Sequence, residues 1–196
     1  MRNRTAAETT IILCGVLLLA GCRAPHPDTE GFMSMYDDAL ARTEDAGKEG
    51  LEAGSEIEEQ AIDRFIDFYR EYSTEIIRKG VRGVYAETAF FGDPFKSVEG
   101  IDAIEEYFLK MADPVESCTF EVTATDRCGG EYYFRWIMRL KSKAAGREIK
   151  ALGVSHVRFD REGMVIFQQD YWDSSTLFDS LPVVGRMTRW VKHRLE

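Results

Sequence analysis

The sequence predicts an α+β fold in which a strongly curved antiparallel sheet wraps helices that precede it in the chain. Two observations predict it. Between residues 55 and 112, apolar side chains recur mainly at helical spacing, and between 118 and 172 they alternate with polar ones in four strand-like runs. Helices followed by a meander can bury the apolar sheet face on the helices, which is an α+β arrangement.

Ser55 and Glu58 fit a capping box at the start of the domain's first helix. Ile62, Phe65, Ile66, Tyr69 and Tyr72 form its apolar face. A second, short helix is expected over Thr74–Lys79, stopped by Gly80. Val84–Phe91 is rich in β-formers and halts at Gly92-Asp93-Pro94. After Gly100, a third helix carries Ile101, Ile104, Phe108 and Met111 on one face and ends before Asp113-Pro114. In the first meander strand, Cys118, Phe120, Val122 and Ala124 share a face. In the second, Tyr132, Phe134, Trp136, Met138 and Leu140 share one, with Arg135 and Arg139 opposite. Glu148–Phe159 and Met164–Trp172 form the closing hairpin around Asp160-Arg161-Glu162-Gly163. The tail from Ser174 reads as helical, broken at Pro182.

The amino terminus has a different character. Arg2 and Arg4 precede an apolar run over residues 11–20 and then Gly21-Cys22, the marks of a secretory signal. As a helix the run rises roughly 15 Å, half of the about 30 Å hydrocarbon core. Leu19-Ala20-Gly21-Cys22 resembles the lipobox of bacterial lipoproteins. That resemblance implies cleavage before Cys22, a lipid on its thiol, and a membrane as partner through that lipid. The alternative is an ordinary signal with an incidental cysteine. Arg23, where an aspartate favours inner-membrane retention, points to the periplasmic face of the outer membrane. The expected organisation is a signal over 1–21, a lipidated acidic flexible tether over 22–54, and a folded domain over 55–196 with its helical tail. Phe32, Met33, Tyr36 and Leu40 allow one short amphipathic helix in the tether.

Charge follows these boundaries. The net charge is −9, yet residues 23–60 alone hold 11 acidic and 3 basic side chains, and residues 61–196 are nearly balanced. No basic patch suggests nucleic acid. Cys118 and Cys128 close one extended run of about 33 Å, and a disulfide needs α-carbons within roughly 7 Å, so no bridge between them is expected.

Three segments carry a resemblance. They are Tyr85-Ala-Glu-Thr-Ala-Phe-Phe-Gly-Asp-Pro94, Val98-Glu-Gly-Ile-Asp-Ala-Ile-Glu-Glu-Tyr-Phe108 and Gly153-Val-Ser-His-Val-Arg-Phe-Asp-Arg-Glu-Gly-Met-Val165. In order and spacing they resemble the nuclear transport factor 2-like superfamily, with its SnoaL-like cyclases and ketosteroid isomerases. The resemblance implies a cone-shaped roll of the cystatin-like kind with a pocket at the open end. Dimers recur in the superfamily, so a homodimer is among the implied partners. Asp170-Tyr-Trp-Asp173 and Leu181-Pro-Val-Val-Gly185 resemble a bacterial subgroup without an assigned reaction.

Three residues are candidates for chemistry. Asp93 matches the general base of ketosteroid isomerases, and an aspartate in an apolar cleft has a raised pKa; the alternative is a turn cap facing water. Tyr69 matches the tyrosine that donates to the enolate in those enzymes; the alternative is a core tyrosine. Asp170 shares a face of the last strand with Gln168 and Trp172, so that Asp93 and Asp170 would be two carboxylates with separable acid and base roles; the alternative is a structural hydrogen bond at the sheet edge. Phe91, Phe134, Trp136, Met138 and Ser155 are expected to line the same pocket.

The isomerase match has a gap, because Ser155 stands where an acid would be needed before His156. The two-aspartate epoxide hydrolases of the superfamily also use an arginine, and Arg135 and Arg139 lie on the wrong face. Ser155 and His156 point to opposite faces and form no dyad. His26, His156 and His193 have no ligand spacing, so neither a metal nor another cofactor is expected. The basic tail helix, with Arg186, Arg189, Lys192 and Arg194, is read as packed on the domain or on a subunit rather than on lipid. Three functions stay open: a binding module for a small apolar or amphipathic ligand, an isomerase or hydrolase using Asp93, and a structural module whose pocket its own side chains fill.

Overall fold

Helix α1 runs over Thr29–Arg42 and α2 over Glu44–Glu49, followed by α3 at Glu56–Arg70 and α4 at Thr74–Val84. This computed structural model describes residues 29–143 and 148–180, with Trp190 and Arg194. The signal segment, Cys22 and most of the tail lie outside the described residues. The chain divides into two units, Met1–Met33 and Ser34–Glu196; of the first, the described part is the opening of α1. Strands β1 (Tyr85–Gly92) and β2 (Ser97–Glu99) come next. After them follow α5 (Ile101–Ala112), β3 (Val115–Cys128), β4 (Glu131–Ser142), β5 (Glu148–Phe159), β6 (Val165–Trp172) and α6 (Ser175–Ser180).

The fold is α+β: one six-stranded, curved sheet in the order β2-β1-β6-β5-β4-β3, with helices on its concave side. The meander β3 to β6 is antiparallel, as is the β1–β2 pair. One pairing departs from the expected antiparallel sheet, for β1 lies parallel to β6, with Phe91 opposite Gln168. That pairing brings the end of β1, where Asp93 sits, beside the end of β6, where Asp170 sits.

The helices begin as their caps dictate. Ser55 accepts from the Glu58 amide at 3.2 Å. Glu58 closes the turn differently from the expected box, accepting from the Gly54 amide at 2.6 Å with one oxygen. Its other oxygen accepts from the Tyr132 hydroxyl and pairs with Arg127. Ser73 caps α4, which does not stop at Gly80. There a β-carbon would lie 3.2 Å from the Phe68 ring, so Gly80 marks the close approach of α3 and α4 rather than a helix end. The main core packs Phe65 on Phe134, with ring centroids 4.4 Å apart, and joins Phe68, Phe108 and Phe159.

A bulge between Val122 and Ala124 advances the alternation of β3 by one residue. Ala124 therefore pairs with Arg135 on the outer face instead of following Val122 inward. Downstream, Arg127 comes opposite Tyr132 and reaches Glu58. Cys118 is buried and Cys128 exposed, at opposite parts of this strand, and both are free thiols.

Residues 34–54, read from composition as part of a spacer, are largely helical and packed. Ala39 is fully buried with Phe90 and Phe167 on the outer sheet face, flanked by Met35, Tyr36 and Leu40. Arg158 forks onto Glu131 and donates to the Leu40 carbonyl and the Thr43 hydroxyl, both at 2.8 Å. Leu51 enters the main core. The folded unit therefore starts before Ser55, because a few small and apolar residues bury one side of an otherwise acidic segment. Among the described residues, no helix is long and apolar enough to cross a membrane.

Candidate functional site

A cavity of about 80 Å³ lies between the concave sheet face, α3, α5 and α6. Its walls are mostly apolar. Tyr69 and Tyr72 come from α3 and the residues after it, Phe91 from β1, Phe108 and Met111 from α5, Cys118 and Phe120 from β3. Trp136 and Met138 come from β4, Trp172 from β6, and Leu177 from α6. The strand register aligns these residues. Trp136 lies opposite Gly153, which lies opposite Trp172, while Phe134, Ser155 and Asp170 form the next row. A β-carbon on Gly153 would stand 2.2 Å from the Trp136 ring, so glycine there lets the indole lie across β5. The indole N–H then donates to Ser155 Oγ at 2.9 Å.

Two carboxylates line this cavity, Asp93 and Asp170. Both alternatives for Asp93 hold together: it caps a turn and it is buried. Its Oδ1 accepts from the amides of Phe95 and Lys96 at 2.8 and 2.9 Å, and its Oδ2 accepts from the Tyr107 hydroxyl at 2.8 Å. Burial raises its pKa above the ordinary 3.8, against the pull of these three donors.

Asp170 is bound more sparingly. Ser155 Oγ and Gln168 Nε2 both donate to its Oδ1, at 2.6 and 2.8 Å. Among the described residues, nothing donates to Oδ2. Protein surrounds the carboxyl group while part of its surface opens to the cavity. Burial pushes its pKa up from 3.8 to about 7, the two hydrogen bonds oppose the rise, and the charge of Asp93 adds to it. The two carboxylates thus share one space and feel each other.

The cavity brings together Asp93, Asp170, Tyr69, Phe91, Trp136, Met138 and Trp172. It does not include three residues expected there. Phe134 is fully buried against Phe65. Ser155 lies behind Trp136, bridging it to Asp170. Gln168 is fully buried in a hydroxyl ring behind the wall. In that ring, Tyr85 donates to Gln168 Oε1 at 2.5 Å, the Tyr69 and Tyr85 hydroxyls meet at 2.5 Å, and Gln168 Nε2 reaches Tyr69 at 3.2 Å. The Tyr69 hydroxyl is therefore committed to Tyr85 and Gln168, and acts as a support for Asp170 rather than as a free donor.

Tyr107, which lines the cavity and holds Asp93, is the candidate site residue that the spacing did not single out. Its signal was present, since it lies one turn beyond Ile104 on the buried face of α5. A wider groove of about 790 Å³ borders the cavity through Tyr72, Val115 and Cys118. Its other walls mix half-buried or buried Ser73, Thr74, Ile76 and Ala112 with exposed side chains of both signs, such as Asp67, Arg70, Glu116 and Lys143. The smaller cavity is the one that holds the two buried carboxyl groups. Among the described residues, no group of three or more His, Cys, Asp or Glu side chains is placed to hold a metal ion.

Comparison with known proteins agrees with this fold. Residues 62–167 match the model of the SnoaL-like domain. No match was found among curated proteins. A SnoaL-like polyketide cyclase from Jannaschia is similar in structure, with a TM-score of 0.55 at 12% identity, over 67% of this chain and 98% of that one. A protein of ketosteroid isomerase-like fold from Catenulispora acidiphila, solved in complex with trimethylamine, has a TM-score of 0.53 at 13% identity, over 62% of this chain and 91% of that one. A protein from Bacillus subtilis described as an isomerase has a TM-score of 0.53 at 17% identity, over 64% of this chain and 95% of that one. These identities carry the fold.

Proposed function

The chain belongs to the SnoaL-like domain family, and from that premise we propose that its cavity binds a small, largely apolar or amphipathic ligand and exchanges a proton with it at Asp170. One observation carries the reading: a carboxyl group with a pKa of about 7 opens into an apolar cavity beside a second carboxylate. At neutral pH such a group is populated both with and without its proton, which suits general acid–base work. Ser155 and Gln168 hold Oδ1, so Oδ2 is the oxygen that meets the ligand. Asp93, held by Tyr107 and two amides, is the second charge and fixes the ligand from the other side.

This reading shifts the acid–base role from Asp93 to Asp170, because Asp93 already receives three hydrogen bonds. The test is a thermal-shift screen of small ketones, amines and epoxides, followed by turnover assays of any hit with Asp170→Asn and Asp93→Asn. Ligand binding with turnover lost in Asp170→Asn supports the proposal. Turnover unchanged in Asp170→Asn sinks it.

We propose further that the chain is a lipoprotein of the bacterial cell envelope, anchored at Cys22 on the periplasmic face of the outer membrane. The lipobox-like Leu19-Ala20-Gly21-Cys22 and Arg23 support this. Labelled palmitate should enter the wild-type protein and not Cys22→Ser; label in both would defeat the anchor. The superfamily's habit supports a homodimer, which sedimentation would test.

A further inference from the structure

We propose that the cavity is selective for a small alkylammonium cation. This deepens the ligand-binding reading and rests on it. Three observations carry the inference.

The first is charge. Asp93 and Asp170 both open on the cavity, and among the described residues no Lys, Arg or His lines it. Arg135 lies on the opposite face of β4, where it pairs with Asp126. Lys96 stands near the site, with Nζ 5.8 Å from the centre of the Tyr107 ring, but is not part of the wall. Two mutually repelling carboxylates thus face the same space without a counter-ion in it. Anionic ligands are disfavoured there, and a cation relieves the repulsion.

The second is the wall. Tyr69, Phe91, Tyr107, Phe120, Trp136 and Trp172 supply aromatic surface from both the sheet and the helices. Aromatic faces attract cations, most strongly where water is excluded, and quaternary and alkylated ammonium groups are the ions that such walls suit. A bare inorganic cation would pair with the carboxylates and leave these rings uncovered. A neutral hydrocarbon would cover the rings and leave the carboxylates unpaired. An alkylammonium ion answers both, and one with an N–H also donates to Asp170 Oδ2.

The third is size. An apolar cavity of about 150 Å³ holds benzene, so a cavity of about 80 Å³, about half that volume, suits only a compact ligand smaller than benzene.

The experiment compares two probes of matched size on the full chain: tetramethylammonium chloride and the neutral tert-butanol. Dissociation constants are read by calorimetry at constant ionic strength, balanced with sodium chloride. The cation should bind about tenfold more tightly or better near pH 8. Its affinity should fall from about pH 8 to about pH 5 as Asp170 takes a proton, while that of tert-butanol should not. The other titratable groups facing the space do not confuse this range. Burial keeps the Tyr69, Tyr72 and Tyr107 hydroxyls well above it and the Cys118 thiol at about 12, and any protonation of Asp93, whose pKa burial also raises, weakens cation binding in the same direction. In Asp170→Asn the preference should shrink to about twofold. The wild-type pH profile decides the matter if that variant misfolds. Equal affinity of the two probes, or tighter binding of tert-butanol, overturns the cation selectivity and leaves ligand binding intact. No binding of either probe overturns both.

Discussion

Asp170→Asn should change how stability depends on pH. In the folded chain the Asp170 pKa is about 7 against an ordinary 3.8. A raised carboxyl pKa means that the fold favours the protonated form. Its contribution is therefore fully present below about pH 4 and is lost as pH rises through about 7. Between pH 5 and pH 8 the wild-type protein should lose about 3 kcal/mol through this group, taking about 1.4 kcal/mol per tenfold change in proton concentration. Asparagine reproduces the neutral acid: its oxygen accepts from Ser155 and Gln168, and its amide replaces the protonated oxygen. The variant should thus match the wild type below about pH 4, exceed it by about 1–2 kcal/mol near pH 5, where the unfolded aspartate is already ionised, and by about 4 kcal/mol near pH 8. Urea unfolding at both pH values measures the difference. Subtracting the two profiles cancels contributions from other groups that titrate independently of Asp170. Parallel profiles would mean that Asp170 is charged in the fold at pH 5, and the proposed proton exchange at neutral pH would lose its basis.

Three further outcomes follow from the geometry. Tyr107→Phe removes the one side-chain donor to Asp93 among the described residues; it should cost about 1 kcal/mol, more where Asp93 is charged than where it is protonated, because the lost bond favours the charged carboxylate, and denaturant titrations across the acid range would reveal it. Gly153→Ala drives a methyl group into the Trp136 ring; it should cost about 1–3 kcal/mol and change the tryptophan fluorescence as the indole leaves Ser155. Arg158→Ala leaves Glu131 without its forked partner and frees the Leu40 carbonyl and Thr43; a loss of about 3 kcal/mol and faster proteolysis within residues 34–54 would show that this segment is part of the fold.

How far the site could be read from the chain depends on which kind of pattern each residue obeys. Period-two alternation put Trp136 and Met138 on one face and Asp170 and Trp172 on another, and the structure brings these into the cavity. Alternation gives a face but not a depth, so Phe134 and Ser155 were expected beside Trp136 when they lie one row deeper. The bulge at Val122 broke the alternation of β3 and could not be seen from composition. Gly80 resembled a helix stop because the ring it accommodates, Phe68, belongs to the preceding helix. Residues 34–54 resembled a spacer because their many acids outnumber the few buried contacts of Ala39, Thr43 and Leu51. The ring of Tyr69, Tyr85 and Gln168 joins residues from three separate elements, and no local spacing announces it. It is also what turns the expected role of Tyr69 inward. The existence of a cavity at all weighs against the reading in which the domain fills itself.

The central claim is that Asp170 meets a ligand in an apolar cavity with a proton available near neutral pH. Carbon NMR of the chain labelled at its aspartate carboxyl carbons tests this most directly, titrated with and without tetramethylammonium. The account predicts an Asp170 carboxyl that titrates at about 7 in the free protein and at a lower pH with the cation bound. A carboxyl that titrates near its ordinary 3.8, unmoved by the cation, would contradict it.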